Sequence, residues 1–366
     1  MKNKVYFLLG EMTHLRYFIP LIKELNRRKL KSRFLIYFSG KYNCPSIHSD
    51  ELDKACEKYN VEKTLANNFK EKNKTIFCVE KACHMAIKRY GIPHENNFYV
   101  LTSQFDYLGN YDLYASYAKN IFFASKWFLD NCDHFIGDKK TQPTKWCLKK
   151  IKSPKNIFLG SPKYDIKLDK QQIISKYNLT NKKKILFLFP SVAPHQKYWI
   201  TKEVRGLSEK QINSIYDTIR SLGFEVLVKS RLKHPILRTC LGDRSFYDES
   251  WFPHTTMELM EVSDLAIMVD STSMKECVLQ KTPFINIGLI NEKEQQHPKA
   301  ILSSLTKYEY CKNYDNVPDM NELKNKIKEL TSKQFSLEFE KAINKHLFQR
   351  GSSSQKIIDF IEASSG

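Results

Sequence analysis

Short apolar runs alternate with polar intervals of helix length along most of the chain. In the first half these runs occupy residues 5–9, 34–38, 75–79, 98–101, 121–124 and 157–159. Continuous apolar runs of this length are typical of parallel strands that are buried on both faces, and the intervals have the length of crossover helices. The pattern predicts an α/β domain with a mainly parallel sheet over residues 1–165.

The same alternation begins again after a lysine-rich polar stretch, residues 166–184, which we interpret as a linker. The following apolar runs lie at 185–189, 224–228, 265–269 and 284–287. A capping-box pair, Ser208 and Gln211, predicts the start of the helix between the first two runs, and Gly223 predicts its end. The second half is therefore predicted to be another α/β domain, over residues 185–345.

Three consecutive hydroxyl residues follow the apolar run at 265–269. Ser271, Thr272 and Ser273 stand between this run and a short predicted helix, in a strand–helix–strand unit at 264–288. Ligands of parallel sheets collect at the carboxyl ends of the strands, and the N–H groups at a helix start favour a phosphate. Hydroxyls at this position also cap helices in proteins of every function. We take the three residues as a candidate phosphate site.

A cationic segment follows another strand of the predicted second sheet. Lys229, Arg231 and His234 come directly after the apolar run at 224–228. The carboxyl ends of parallel strands meet at one edge of a sheet, so these cations are expected near the hydroxyls. We assign them to the same phosphate groups.

The charge balance favours an acidic partner. The 366 residues include 59 Lys and Arg against 40 Asp and Glu, which gives a formal net charge of +19 and a pI near 9.3. Nucleic acid, a phosphorylated substrate and an anionic membrane surface would each fit this balance. The basic residues are scattered and form no recognisable nucleic-acid-binding module, so nucleic acid is not the expected partner.

Cysteine and hydropathy patterns predict a cytoplasmic protein. The nine cysteines form no C-x-x-C pair and lie mostly in apolar runs, as reduced core residues do. No apolar run approaches the ~18 residues of a membrane span, so only peripheral contact with the inner face of a membrane is expected. The sequence has no Asp-x-Asp, His-Glu-x-x-His, Walker A or Gly-x-Gly-x-x-Gly motif, and we expect neither a metal ion nor a bound cofactor.

Three short segments resemble parts of one known superfamily. Gly10 and Pro20 have the separation found in its first βα unit, and Glu276 with Pro283 matches its donor-binding unit. Residues 351–361 are similar to its closing helix, which begins with glycine and small residues. These segments resemble the GT-B-type glycosyltransferases and their relatives, the non-hydrolysing UDP-N-acetylglucosamine 2-epimerases and the CDP-glycerol glycerophosphotransferases.

The resemblance implies an α/β protein of the GT-B type, with two Rossmann-like domains whose mainly parallel sheets face a central cleft. Residues 1–165 would form the acceptor domain and 185–345 the nucleotide-donor domain. Residues 346–366 would form a C-terminal helix that packs back toward the first domain. In this superfamily a glutamate at the position of Glu276 holds the nucleotide ribose, and Gly10 is assigned to donor binding by the same comparison.

The function implied is metal-independent transfer of a sugar or sugar-like group from a nucleotide-activated donor to a surface polysaccharide or lipid-linked glycan. His234 and Pro235, together with Ser271 and Thr272, resemble the residues with which bacterial sialyl- and Kdo-transferases grip a cytidine nucleotide. The nucleotide sugar, CMP-, CDP- or UDP-linked, would be a co-substrate. Peripheral contact with an anionic membrane would bring the enzyme to a lipid-linked acceptor.

Three alternatives remain open. An epimerase is less favoured because Glu11 and Met12 follow Gly10, where the epimerases have threonine and arginine. A CDP-glycerol glycerophosphotransferase is less favoured because its His-Gly signature is missing from the first half. The third alternative is a non-catalytic GT-B module that binds a glycan or a protein partner.

Transfer to a hydroxyl acceptor also requires a general base. Glu11 and His14 stand in the loop after the first predicted strand, and Asp106 follows the run at 98–101. His195 lies in the loop after the run at 185–189. These four residues are the candidate catalytic groups, and the sequence does not separate them.

Overall fold

The computed structural model of the protein describes residues 4–37, 49–80, 82–102, 115–123, 153–189, 207–230, 236–269, 271, 273–288, 311–332 and 351–364. The described residues form two compact units. Residues up to 166 and from 351 onward belong to the first unit, and residues 167–332 belong to the second.

The first unit contains a parallel sheet of seven strands, ordered β3-β2-β1-β4-β5-β6-β7. The strands are β1 (Lys4–Leu9), β2 (Lys31–Ile36), β3 (Val61–Leu65), β4 (Thr75–Val79), β5 (Asn97–Leu101), β6 (Ala118–Phe123) and β7 (Asn156–Phe158). Its helices include α1 (Leu15–Arg27), α2 (Ser49–Tyr59) and α3 (Ala82–Tyr90). All neighbouring strands pair in parallel, which confirms the predicted α/β class.

The second unit repeats this arrangement with six strands, ordered β10-β9-β8-β11-β12-β13. The strands are β8 (Lys184–Leu188), β9 (Glu225–Lys229), β10 (Arg244–Phe246), β11 (Leu265–Val269), β12 (Phe284–Ile287) and β13 (Cys311–Tyr314). The helices are α4 (Lys170–Lys176), α5 (Glu209–Ser221), α6 (Thr255–Glu261), α7 (Met274–Leu279) and α8 (Met320–Leu330). Both sheets therefore have the strand order of Rossmann-type domains.

The central strands coincide with the predicted apolar runs, and their side chains are buried. All side chains of β8, β9 and β11 are buried, and β1 buries every residue after Lys4. In the first sheet the rings of Phe7 and Phe77 stack with centroids 5.3 Å apart, and Phe18 on α1 packs on Phe7 at 5.2 Å. Helices cover both faces of such strands, which is why their sequences are continuously apolar.

The predicted capping box of α5 is confirmed. The Ser208 hydroxyl accepts a hydrogen bond from the Gln211 N–H at 3.3 Å, and the Gln211 side chain accepts one from the Ser208 N–H at 2.9 Å. Gly223 follows the helix with φ +83°, the left-handed conformation that glycine adopts without strain. Local sequence thus determines both ends of this helix.

Three edge strands, β3, β10 and β13, were not among the predicted apolar runs. In β3 only Val61 is fully buried, and its remaining side chains are partly or fully exposed. An edge strand has a neighbour on one side only and often exposes a face to solvent, so its sequence lacks the continuous apolar run on which the prediction rests.

The segment expected to be a linker, 166–184, contains α4 and is grouped with the second unit from residue 167 onward. The buried Glu258 carboxylate on α6 accepts hydrogen bonds from the Lys176 ammonium at 2.7 Å and the Tyr177 hydroxyl at 2.6 Å. The Ser250 hydroxyl donates a third at 3.1 Å. These bonds join α4 to α6 and compensate the buried charge.

The last helix, α9 (Ser353–Ala363), packs in the first unit. The Asp165 carboxylate accepts hydrogen bonds from the N–H groups of Ser353, at 3.0 Å, and Ser354. On the same helix, Asp359 and Glu362 form ion pairs with Arg28 at 2.6 and 2.5 Å. A carboxylate at a helix start is favourable because it satisfies otherwise unpaired N–H groups and complements the helix dipole.

Among the residues that the structure describes, no helix has both the length and the apolar character needed to cross a membrane.

The order of strands reverses between β1 and β4 in the first sheet and between β8 and β11 in the second. The loops that leave adjacent strands at such a reversal diverge, and ligands of open α/β sheets bind between them. These two positions are therefore where functional groups are expected.

We predict that Asp165→Ala destabilises the protein by about 1–2 kcal/mol, because two N–H groups at the start of α9 lose their acceptor. Asp319→Ala is the matched control, since Asp319 accepts two N–H groups at the start of α8 in the second unit. Limited proteolysis followed by mass spectrometry should show faster cleavage within residues 351–364 in the Asp165 variant alone. Equal cleavage there in both variants would contradict this role.

Candidate functional site

The hydroxyl segment lies at the order reversal of the second sheet, directly after β11. The Ser271 hydroxyl accepts a hydrogen bond from the Ser273 N–H at 3.2 Å, and the Ser271 carbonyl accepts one from the Met274 N–H at 3.3 Å. Ser271 therefore caps the start of α7, as its position suggested. A serine hydroxyl that accepts one bond can still donate its own hydrogen, so this cap leaves a donor for a ligand oxygen.

Glu276 stands in the first turn of α7 and is partly buried. Its backbone carbonyl accepts the Gln280 N–H at 2.9 Å. Burial raises the pKa of the neighbouring Cys277 thiol, and the Glu276 charge raises it further. Glu276 thus belongs to the helix that begins at the reversal point, three residues after Ser273.

Lys229 ends β9, beside the end of β8, and its backbone carbonyl accepts the Phe189 N–H at 2.9 Å. Its side chain is 4% exposed, and the ammonium donates to the Asp248 carboxylate at 3.0 Å and to the Ser230 carbonyl. Asp248 therefore compensates the positive charge that the sequence assigned to a donor phosphate. The tertiary pairing with Asp248 has no signal in local sequence, and sequence reasoning missed it.

His254, at the start of α6, approaches the same carboxylate, with 3.7 Å between its Nε2 and the Asp248 Oδ1. Burial alone would raise the pKa of Asp248. The nearby His254 imidazole and the charge of Lys229 outweigh burial and hold this pKa well below its usual value. Asp248 is therefore a buried carboxylate that stays charged because two cationic or donating groups surround it.

Five of the sequence-predicted site residues lie outside the described residues. They are Arg231, His234 and Thr272 in the donor set, and Asp106 and His195 among the candidate bases. The described members of the donor set in the second unit are Ser271, Ser273 and Glu276, which follow β11 at the order reversal, and Lys229, which ends the neighbouring strand β9 on the far side of β8. The remaining described candidates, which belong to the first unit, are Gly10, Glu11 and His14.

The first loop, residues 10–14, leaves β1 at the order reversal of the first sheet. It contains one turn of 3-10 helix, Met12–His14, in which the His14 N–H donates to the Glu11 carbonyl at 3.0 Å. The Thr13 hydroxyl donates to the Glu11 carboxylate at 3.2 Å. The structure thus brings two candidate bases, Glu11 and His14, into a single turn.

The imidazole of His14 is held in its neutral form at neutral pH. Its Nδ1 atom is shielded from solvent and has no hydrogen-bond partner among the described residues. Burial lowers the pKa of His14 to about 4, although the Glu11 charge opposes this and only the Arg16 charge adds to it. A neutral imidazole can accept a proton, but so low a pKa makes it a weak base in this state.

Gly10 is required by the packing of a tyrosine. A Cβ atom placed on Gly10 would lie 2.5 Å from the Tyr37 Oη, inside van der Waals contact. Tyr37 follows β2, and its N–H donates to the Leu9 carbonyl at 3.1 Å. The sequence identified the glycine but gave no sign of the aromatic ring that occupies the space beside it.

Glu80 is a further acidic residue at this reversal that sequence reasoning missed. Gly10 and Glu80 each lie three residues beyond the paired residues Phe7 and Phe77, so both follow the ends of adjacent strands at one level. Glu80 has φ +47°, an uncommon conformation for a residue other than glycine, and its N–H donates to the Leu101 carbonyl at 3.0 Å. Its position immediately after the apolar run 75–79 was the available signal.

Within the described ranges, no group of three or more His, Cys, Asp or Glu side chains is arranged to hold a metal ion. Glu11, His14 and Glu80 are acid–base candidates because they lie in the segments that follow β1 and β4 at the order reversal of the first sheet. Two carboxylates and a neutral imidazole at the end of adjacent strands can bind a hydroxyl and accept its proton.

We predict that Lys229→Met destabilises the protein by about 3–5 kcal/mol, because it leaves the Asp248 carboxylate buried without its ion-pair partner. The double variant Lys229→Met/Asp248→Asn should lose much less stability than the sum of the two single variants. Urea unfolding of the four proteins measures this coupling. Additive losses would show that the pair does not interact.

We also predict that His14 makes stability depend on pH between 6.5 and about 4. In this pH window His14 is protonated in the unfolded chain but not in the folded protein. The free energy of unfolding therefore decreases as the pH falls, by at most about 3 kcal/mol. His14→Gln should remove this part of the slope, because glutamine does not titrate. Identical slopes in urea unfolding of both proteins would contradict the assignment.

No protein-family model matches the sequence, and no curated protein matches it significantly. Solved structures do match its fold. The wall teichoic acid polymerase TagF is 13% identical, with a TM-score of 0.63 over 99% of this chain and 88% of that chain. A putative UDP-N-acetylglucosamine 2-epimerase from Listeria monocytogenes is 11% identical, with a TM-score of 0.60 over 100% and 97%.

A third match, TcCGT1 in complex with UDP, is 11% identical, with a TM-score of 0.58 over 99% of each chain. The matches cover both sheets of this chain, and their identity is far below the level at which a shared activity follows from similarity. The two parallel sheets of this chain, each with Rossmann-type strand order, are consistent with these matches. The chain has the GT-B fold.

Proposed function

We propose that the protein is a glycosyltransferase that moves a sugar or sugar-like group from a nucleotide-activated donor to a surface polysaccharide or lipid-linked glycan. The observation that carries this proposal is the position of Ser271 and Ser273 at the order reversal of a Rossmann-type sheet in a GT-B fold. Ligands of such sheets bind at this reversal. Acid–base groups at the corresponding reversal of the first sheet support a catalytic role.

The donor nucleotide would bind at the carboxyl edge of the second sheet. The Ser271 and Ser273 hydroxyls, with the N–H groups at the start of α7, suit the oxygens of the leaving phosphate, and the Glu276 carboxylate suits the ribose hydroxyls. Since Asp248 compensates Lys229, we assign Lys229 to holding the end of β9 in place. Arg231 and His234 remain our proposed phosphate cations.

The acceptor would be activated by a group of the first unit. As the acceptor oxygen attacks the anomeric carbon, the bond from that carbon to the nucleotide phosphate breaks, and the acceptor proton passes to the base. Glu11 and His14 share one turn, and the Glu11 carboxylate is already hydrogen-bonded through Thr13. We propose this turn as the source of the base, with no metal ion in the chemistry.

A second candidate is a transferase of a glycerol phosphate group. It is favoured by the similarity to TagF, one of whose structures was soaked with CDPG, with a TM-score of 0.60 over 99% of this chain. In that case the same donor edge would hold a cytidine nucleotide, and the leaving group would be CMP. The net charge of +19 suits an acidic acceptor under either proposal.

We predict that one nucleotide among UDP, GDP, CDP, CMP and ADP raises the melting temperature of the protein in a thermal-shift screen. Binding to the folded state alone stabilises by mass action, by about 2.7 kcal/mol at a ligand concentration 100 times Kd. Glu276→Ala and Ser271→Ala should each reduce the shift caused by that nucleotide. Each shift is measured from the melting temperature of the same variant without ligand, because removal of the Ser271 cap lowers stability by itself.

Two matched controls come from helix α5 of the same unit. Glu209→Ala removes another first-turn glutamate, and Ser221→Ala removes an exposed serine. Both should keep the full nucleotide shift. The proposed donor site is wrong if Glu276→Ala and Ser271→Ala also keep it, and the protein is a non-catalytic module if no nucleotide binds.

The products separate the remaining enzyme classes. Incubation of the pure protein with a UDP-sugar alone yields an epimer only if the protein is an epimerase. Consumption of CDP-glycerol with release of CMP identifies the glycerol phosphate transferase. Transfer that requires both a nucleotide sugar and a glycan acceptor supports the first proposal.

A further inference from the structure

We propose that Tyr37 is a positioning residue that sets the path of the first loop and thereby fixes the turn that carries Glu11 and His14. Its effect on turnover rests on the proposed function, whereas its effect on the loop does not. No local sequence feature marks Tyr37 for this role. The inference comes from its packing against Gly10.

The space beside Gly10 is filled by Tyr37. The Tyr37 ring and hydroxyl occupy the position of a side chain at residue 10, so that an added Cβ would overlap them. Gly10 does not have a left-handed φ. The glycine is therefore needed for the close approach of the ring and not for an unusual backbone conformation.

The Tyr37 ring has little freedom to move away from Gly10. Tyr37 is 4% exposed, and its ring packs edge-on against Tyr90 of α3 with centroids 5.8 Å apart. Burial raises the pKa of the Tyr37 phenol, and the nearby Cys78, Glu11 and Cys83 groups raise it further. The ring is thus enclosed by β4, α3 and the first loop.

The packing of Tyr37 also bears on the role of Gly10. In a phosphate-binding loop a glycine lets the ligand approach the backbone closely. Here a phenol fills the space beside the Gly10 Cα atom. The packing of Tyr37 thus shapes the first loop that carries Glu11 and His14, and it accounts for Gly10 without the donor contact that the resemblance implies.

The experiment is a size-exchange series with Gly10→Ala, Tyr37→Ala, the double variant Gly10→Ala/Tyr37→Ala, and Tyr37→Phe. The first readout is the pKa of His14, followed by NMR of its imidazole C–H protons. Gly10→Ala and Tyr37→Ala should each shift this pKa from about 4 toward the usual 6.5, because the displaced turn loses its buried position. The double variant should recover part of the shift caused by Gly10→Ala, and Tyr37→Phe should stay close to wild type.

Tyr99→Ala is the matched control for lost packing. Tyr99 is 1% exposed in the same sheet and packs on Phe77 and Phe122. Its removal should destabilise the protein to a similar extent without moving the His14 titration. If it moves the titration as much as Tyr37→Ala does, the effect is general loss of packing and the proposal is wrong.

The second readout is turnover with the donor found in the nucleotide screen. Gly10→Ala should lower turnover about 100-fold, the size expected when a reacting group is displaced by about 1 Å. Tyr37→Phe should restore turnover relative to Tyr37→Ala. The nucleotide-induced thermal shift should be unchanged throughout, because the proposed donor site lies in the second unit.

The two proposals fail separately. Absence of nucleotide binding and turnover in the wild type contradicts the proposed function, and the His14 titration still tests the role of Tyr37. A normal His14 titration in folded Gly10→Ala and Tyr37→Ala overturns that role even in an active enzyme. If Gly10→Ala does not fold, Tyr37→Ala and Tyr37→Phe provide the same comparison.

Discussion

All strands of a parallel sheet end at the same edge, and this constraint decides where each half of the molecule can do chemistry. Loops that leave adjacent strands on either side of the order reversal diverge and leave space between them. In the first sheet the reversal carries Glu11, His14 and Glu80, and in the second it carries Ser271 and Ser273. Candidate acid–base groups and hydroxyls thus follow strands at topologically equivalent positions of the two sheets.

The sequence was most informative where burial on both faces imposes a continuous apolar run. The central strands β1, β8 and β11 were predicted for this reason, whereas the order of the strands in each sheet became known only from the structure. The edge strands β3, β10 and β13 escaped prediction because their polar side chains are compatible with solvent. Ends of helices were predictable where the capping groups are local, as for Ser208 and Gln211 of α5.

The candidate site was predictable to the extent that its residues are neighbours in the chain. Glu11 and His14 share a turn, and Ser271 follows a strand, so sequence spacing located them. The pairing of Lys229 with Asp248 and the packing of Tyr37 on Gly10 join residues 19 and 27 positions apart, and no periodic pattern records such contacts. The sequence therefore identified Lys229 and Gly10 as candidates. Their contacts with Asp248 and Tyr37, which determine the role of each residue, were visible only in the structure.

The hydrogen bonds between Asp165 and the start of α9 also affect how the protein is made. The first unit is assembled from two separate stretches of chain, with the second unit inserted between them. During translation, Asp165 leaves the ribosome almost two hundred residues before Ser353. The first unit therefore lacks α9 until the intervening unit has been synthesised. Until α9 is made, the apolar surface that it covers stays exposed, and exposed surface of this kind is prone to association.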